Sequence, residues 1–92
     1  MIVTFSHKGL EAFFEKGDAS KISNDHKDKL RLVLAALNSA TKITDMNLPG
    51  LGLHKLKGKF EDFWSIKING NWRLIFRFTN GLAYDVNYLD YH

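Results

Sequence analysis

Residues 64–88 read WSIKINGNWRLIFRFTNGLAYDVNY, and their period is two. Trp64, Ile66 and Ile68, then Trp72, Leu74, Phe76 and Phe78, then Leu82, Tyr84, Val86 and Tyr88 put a large side chain at every second residue. That is the spacing of strands with one buried face. The breaks between them, INGN and TNG, contain Asn-Gly pairs, which tolerate the positive φ of tight hairpin turns. Three antiparallel strands in a meander follow, with Trp64, Trp72, Tyr84 and Tyr88 expected in the core.

Upstream, the period becomes helical. MIVTF at positions 1–5 is β-branched and apolar enough for a short strand. Ser6 then offers an N-cap, Leu10, Phe13 and Phe14 recur at i, i+3 and i+4, and Gly17 ends the helix. Ser23 offers a second N-cap, with Asp25 and Asp28 in a first turn whose dipole favours acids. Leu30, Val33, Leu34 and Leu37 form the stripe of that second helix. His7 and His26 fall at the two helix starts and carry no assigned role. A loop over 39–52 ends in NLPGLG, which lacks the Lys-Ser/Thr and the following helix of a phosphate loop and reads as a turn. LHKLKGK at 53–59 suits a short strand and its exit turn. The expected architecture is a single α+β domain over residues 1–92. Two N-terminal helices pack on one face of a small, mainly antiparallel sheet, and the other face is open.

Hydrophobic residues make up 45% of the 92 and charged residues 25%, the balance of a folded globular chain. There is no cysteine, hence no disulfide, thiol nucleophile or thiolate metal site. The N-terminus lacks the basic and apolar regions of a leader, and LVLAAL is too short to span a bilayer. A cytoplasmic protein without membrane contact is expected. Net charge is +3 but unevenly placed: residues 54–77 carry six Lys or Arg against Glu61 and Asp62, and the rest of the chain is net negative. Clustered basic charge points to a polyanion, with nucleic acid first among intracellular choices.

Strand parity concentrates that charge. Ser65 and Lys67, like Arg73, Ile75 and Arg77, alternate with the core residues and so project from the face opposite the helices. His54, Lys55, Lys57 and Lys59 arrive beside them. The histidines at 7, 26, 54 and 92 have no ligand spacing, so neither a metal nor any other cofactor is expected. What remains suits phosphodiester cleavage without metal. RNA carries its own nucleophile, the 2′-OH; a base removes its proton, an acid protonates the departing 5′-oxygen, and fixed cations stabilise the charge gathering on phosphate.

The opening MI…F…HKGL…FEKG, the central LHKLKG, the W-S-I…NWR strand pair and the ending NY-x-DYH together resemble the HigB toxins of the RelE/ParE superfamily, over essentially the whole chain. The resemblance implies a toxin of a type II toxin–antitoxin pair that enters the ribosomal A site and cleaves mRNA. It also implies a HigA-like helix-turn-helix antitoxin that links the toxin only indirectly to operator DNA. The family's functional positions fall on His54, Lys57, Arg73, Asp90, Tyr91 and His92. Of these, Asp90 and His92 are expected to move protons and His54 to move a proton or bind phosphate. Lys57 and Arg73 would stabilise charge, and Tyr91 would position or stack on a base, with Lys55, Lys59 and Arg77 as further phosphate contacts. Two alternatives keep the fold: a ParE-like inhibitor of a DNA topoisomerase, which lacks the His54 and Asp-Tyr-His set, and a non-catalytic RNA-binding domain. Strict alternation sets Asp90 and His92 on the parity of the expected core residues Tyr84, Val86 and Tyr88 and Tyr91 on that of the cations. A twist, bulge or register shift is needed to bring all three to one site, unless the core face of the last strand is built on Ala83 and Leu89.

Overall fold

A computed structural model describes residues 1–91; His92 lies outside the described residues. Helix α1 spans Lys8–Lys16 and α2 spans Lys27–Ser39, the latter entered through a 3-10 turn at Asn24–His26. Four strands follow: β1 (His54–Lys55), β2 (Trp64–Asn69), β3 (Trp72–Thr79) and β4 (Leu82–Asp90). They form one antiparallel sheet in the order β1-β2-β3-β4. The expected meander and the short fourth strand from LHKLKGK are both present.

Helix α1 ends as expected, on Gly17 in the left-handed conformation at φ 73°, where a side chain would be strained. Its start differs from expectation. The cap is His7 rather than Ser6, and the ring Nδ1 accepts the Leu10 backbone N–H at 2.9 Å. An imidazole nitrogen does here what a hydroxyl usually does, because the backbone turns into the helix one residue later. Leu10 and Phe13 from α1, and Leu30, Val33, Leu34 and Leu37 from α2, are buried against Ile66, Ile68, Leu74, Phe76, Ala83, Val86 and Tyr88 of the sheet. Each fully buried large apolar side chain contributes roughly 1.5–3 kcal/mol, so this single interface holds the helices to the sheet.

The hairpins are two-residue turns. Asn80 and Gly81 both have positive φ, 53° and 78°, between the paired Thr79 and Leu82. That double reversal matches the right-handed twist of the strands. In the other hairpin the loop is Gly70-Asn71, and Asn69 belongs to β2, paired with Trp72. The N-terminal segment docks parallel to β4 through bridges at Ile2 to Ala83 and Phe5 to Val86. Between the bridges lies a break in β4 itself. Asp85 has φ 53°, and the β3–β4 register shifts between Ile75 and Arg77, which marks a β-bulge. Thr4 Oγ1 accepts the Asp85 N–H at 2.8 Å, and the Arg77 Nε donates to Asp85 Oδ2 at 2.8 Å.

This bulge corrects the expected core. Before it, Leu82 and Tyr84 face outward, Tyr84 opposite Arg77, while Ala83 is buried opposite Phe78. After it, Val86 and Tyr88 turn inward. One extra residue inverts the parity of everything beyond it. Tyr84 is therefore not a core residue, and the core of β4 changes from odd to even positions at Asp85.

His26 is also more than a helix-start residue. It is 4% exposed, and its Nδ1 is hydrogen-bonded to the Tyr88 hydroxyl. Its ring lies 5.5 Å from Trp72 and 5.7 Å from Tyr88, and Trp72 stacks on Tyr88 at 4.6 Å. The turn before α2 is thereby bound to the last strand.

Candidate active site on the outer face of the sheet

Residues paired directly across antiparallel strands project to the same side. The face away from the helices therefore carries a row of His54, Ser65, Ile75 and Asn87, a second of Lys67, Arg73 and Leu89, and the pair Arg77 and Tyr84. Seven of the nine bear a cationic or polar side chain, Ile75 and Leu89 being the exceptions. At about 4.8 Å per strand, His54 and the β3 backbone beside Arg73 are roughly 10 Å apart, a span that suits one phosphodiester and its neighbours.

His54 is exposed, and its Nδ1 lies 3.0 Å from the Gly52 carbonyl oxygen. A carbonyl only accepts, so Nδ1 carries the hydrogen, and Nε2 of the neutral ring keeps a lone pair toward solvent. That is the arrangement required of a base; holding phosphate instead requires the doubly protonated ring, whose Nε2–H would donate. The Arg73 Nη1 donates to Gly70 O at 2.7 Å and to Trp72 O at 3.2 Å, which ties the guanidinium to the hairpin beside it. The remaining N–H groups of the guanidinium have no such partner in the hairpin, and a fixed donor costs less entropy to use than a free one.

The cations do not act as one group. Arg77 is engaged: its Nη2 lies 2.7 Å from Asp85 Oδ2, and the ring of Tyr84 lies 5.8 Å from its guanidinium carbon. Lys55 is on the opposite side from His54, paired with Trp64, with Nζ 5.5 Å from the indole centroid. Alternation alone separates those two neighbours. Lys57 is exposed at the start of a 3-10 turn over Gly58–Phe60, and Lys59 on that turn holds Nζ 5.3 Å from the Phe60 ring.

Nor is this face fully open, as expected. Ser65 and Ile75 project to it, yet are 0% and 1% exposed. Leu56 is buried too, and neither it nor Ile75 belongs to the helix-side core. The segment 56–63 between β1 and β2 is closed by a 2.9 Å hydrogen bond from Leu56 N to Phe63 O. Aromatic rings connect it to the residue after β4: Phe60 meets Phe63 edge-on at 5.7 Å and Tyr91 at 6.2 Å. The buried Ser65 hydroxyl has no hydrogen-bond partner among the described residues. From the sequence, Phe60 carries no assignment, Ser65 is placed on this face without its burial, and His26 is only a helix-start residue. A lone aromatic in a Lys- and Gly-rich turn and a serine in a strand have no distinguishing pattern.

At the end of β4, Asp90 pairs with Trp72, so it takes the helix-side parity while standing exposed at the sheet's rim. Tyr91 reverses outward, and its N–H donates to Asn71 O at 2.7 Å. The expected split between Asp90 and Tyr91 is thus real, and the bulge at Asp85 does not remove it. The expectation for His92 lies outside the described residues.

A short two-helix layer on a four-stranded antiparallel sheet, with a basic outer face, defines a RelE-like toxin fold. A chain of the YoeB–YefM complex from Staphylococcus aureus shares it at a TM-score of 0.58 and 21% identity, over 100% of this chain and 95% of that one. The chain belongs to the HigB-like toxins, RelE-like toxins of type II toxin–antitoxin systems, whose family pattern matches residues 3–92. It is 46% identical over 92 residues to the Endoribonuclease HigB of Proteus vulgaris, covering all of both chains. It is 32% identical over 94 residues to Toxin HigB-1 of Vibrio cholerae serotype O1, covering 100% of this chain and 98% of that one. Membership in a toxin–antitoxin family makes an antitoxin its partner. Among the described residues no helix is long and apolar enough to cross a membrane.

Proposed function

We propose that this toxin is an endoribonuclease that cleaves mRNA in the ribosomal A site of the cytoplasm and is held inactive by a HigA-like helix-turn-helix antitoxin. The observation that carries the reading is the outer face. There the basic surface is built around an imidazole whose Nδ1–H is already engaged, beside an arginine anchored at the hairpin. The full-length likeness to a protein named as an endoribonuclease supports the same reaction class.

In that reaction the RNA 2′-oxygen attacks phosphorus, the 2′-proton passes to a base, the bond from phosphorus to the 5′-oxygen breaks, and the leaving oxygen takes a proton from an acid. The products are a 2′,3′-cyclic phosphate and a 5′-hydroxyl. His92 and Asp90 are assigned to proton transfer, and His54 to proton transfer or to holding the phosphate. Lys57 and Arg73 stabilise the developing charge, and Tyr91 orients the nucleotide. Lys55, Lys59 and Arg77 are lesser contacts to the RNA backbone. Arg77 must share its guanidinium with Asp85, and Lys55 must reach round from the far face.

Primer extension on mRNA from a reconstituted translation reaction tests this. Cleavage is expected with the parent toxin and absent on mRNA without ribosomes. His92→Gln and Asp90→Ala are expected to be nearly inactive, and normal cutting by either would refute its assigned role.

A further inference from the structure

The end of β4 carries Asp90 and leads into Tyr91, yet it lies on an open edge. The strand order leaves β4 outermost, and the N-terminal segment runs beside it only as far as Val86, whose carbonyl accepts the Ser6 N–H at 2.9 Å. Among the described residues no strand flanks β4 on that side beyond this point, and a strand end with one neighbour frays unless side chains hold it. We propose that His26 is a positioning residue of the RNA-cleaving site: its bond to the Tyr88 hydroxyl fixes the last residues of β4 and with them Asp90 and Tyr91. The inference rests on the RNA reading above and deepens it by adding a residue that touches neither RNA nor the reacting atoms.

Three observations carry it. First, the bond is shielded from water: His26 and Tyr88 are each 4% exposed, and Nδ1 of the one meets the hydroxyl of the other. A buried polar group without a partner is costly, so the phenol stays where the imidazole is. Second, Tyr88 is bracketed by rings. His26 stands nearly perpendicular to it at 5.7 Å and 84°, His7 lies 5.7 Å away, and Trp72 stacks on it at 4.6 Å. His7 caps α1 and His26 ends the 3-10 turn that enters α2, so the starts of both helices converge on one side chain of the last strand. Third, that side chain adjoins the site. Tyr88 and Asp90 are two residues apart on β4 and share a face, and Asp90 is paired with Trp72, the ring that stacks on Tyr88.

Two contacts thus hold the strand end from different directions. The Tyr91 N–H bond to Asn71 O ties it to the neighbouring hairpin, and the His26 bond ties it to the helix layer. Misplacing a reacting group by about 1 Å can cost roughly 10²-fold in rate. Loss of the His26 bond removes no reacting group and no phosphate contact, so it slows bond cleavage without weakening the hold on the ribosome.

The test compares the full toxin with His26→Phe, which keeps a ring and loses the nitrogen, and with Tyr88→Phe and the double variant. His26→Asn returns a polar group near the Nδ1 position, and Val33→Ala truncates the core side of α2. Single-turnover cleavage of mRNA on programmed ribosomes gives a maximal rate and a half-saturating toxin concentration, each per folded molecule. His26→Phe and Tyr88→Phe are each expected to lower the maximal rate roughly 10- to 100-fold and to leave half-saturation unchanged. The double variant is expected to be no slower than either, because both changes remove one bond. His26→Asn is expected to recover most of the rate, and Val33→Ala to lower the urea midpoint while keeping the parent's rate. Amide exchange is expected to quicken at Tyr91 in His26→Phe, with β2 as protected as before. Parent-like maximal rates in His26→Phe and Tyr88→Phe would overturn the proposal, as would losses confined to half-saturation. So would a Val33→Ala rate that falls in step with stability, which would mark His26 as packing only, or a His26→Asn variant as slow as His26→Phe. Absence of cleavage by the parent would overturn the RNA reading itself. That failure is distinct, because exchange at Tyr91 needs no RNA and still reports whether the bond holds the strand end.

Discussion

The two faces of the sheet are built from alternate residues of the same strands, and they differ in what they tolerate. On the helix side, Ile66, Leu74, Phe76 and Val86 are completely buried and meet α1 and α2 in one continuous core. On the outer side, His54, Lys67, Arg73 and Arg77 share the sheet face with the buried Ser65 and Ile75. The continuous core lies on one face and most of the proposed phosphate-facing groups on the other, with Asp90 at the rim keeping the helix-side parity. A strand can separate the two only because its side chains alternate.

The widest separation between them is expected from His54→Ala. Loss of a proton-transfer or phosphate-binding imidazole from the outer face lowers cleavage about 10²–10⁴-fold. Single-turnover cleavage on programmed ribosomes should record that fall, while the urea midpoint stays near the parent's. Phe76→Ala reverses the pattern. Truncating a fully buried ring in the helix-side core costs about 3–5 kcal/mol, read from urea unfolding, and surviving folded molecules should retain their rate per site.

A smaller effect probes the contact that binds the turn before α2 to the last strand. In His26→Leu the Tyr88 hydroxyl loses its imidazole partner, at a cost of about 1–3 kcal/mol. Adding Tyr88→Phe should restore much of it, because the hydroxyl deprived of its imidazole partner is then gone; simple additivity of the two losses would show that the bond contributes nothing. Arg77→Gln is expected to cost no more than about 1 kcal/mol, since the pair with Asp85 is half exposed and screened by solvent.

The pH dependence of stability gives the mildest test. Burial pushes the Tyr88 phenol above its ordinary 10.0, opposed by a hydrogen bond with the Ser23 backbone. Its neutral form thus stabilises the fold fully below pH 10.0, and that contribution is lost as pH rises through the higher folded value. The backbone N–H of Ser20 holds the Asp18 carboxyl below its ordinary 3.8, and those of Thr41 and Lys42 do the same for Asp45. Their contributions are present above 3.8 and disappear as pH falls through the lower folded values. A series of urea midpoints should therefore be flat near neutrality and decline at both ends; a midpoint that rises above pH 10 would contradict the account of Tyr88.

Much of this was legible in the order of residues. Period two over Trp64–Phe78 and period 3.6 over the helices are local properties of the chain, as are the TNG turn and the Gly17 stop, and all appear in the fold. The alternation that puts Arg73 and Arg77 opposite Leu74 and Phe76 is likewise a consequence of strand geometry. The family resemblance reached the HigB-like toxins from motifs spread along the chain.

The site's assembly was not local. Tyr84 changes face because Asp85 bulges, and that bulge is braced by Arg77 across the strand pair and by Thr4, 81 residues away in sequence. Lys55 and His54 part because β1 is truly a strand, though only two residues long. Ser65 and Ile75 are buried although their face lies away from the helices, and the role of His26 depends on Tyr88 lying beside it in space. By itself, the sequence determined which segments are helix or strand and which side chains alternate, because those follow from neighbours a few residues apart. Only the tertiary structure decided where the alternation breaks and which rings meet at the rim, because those depend on contacts between residues far apart in the chain.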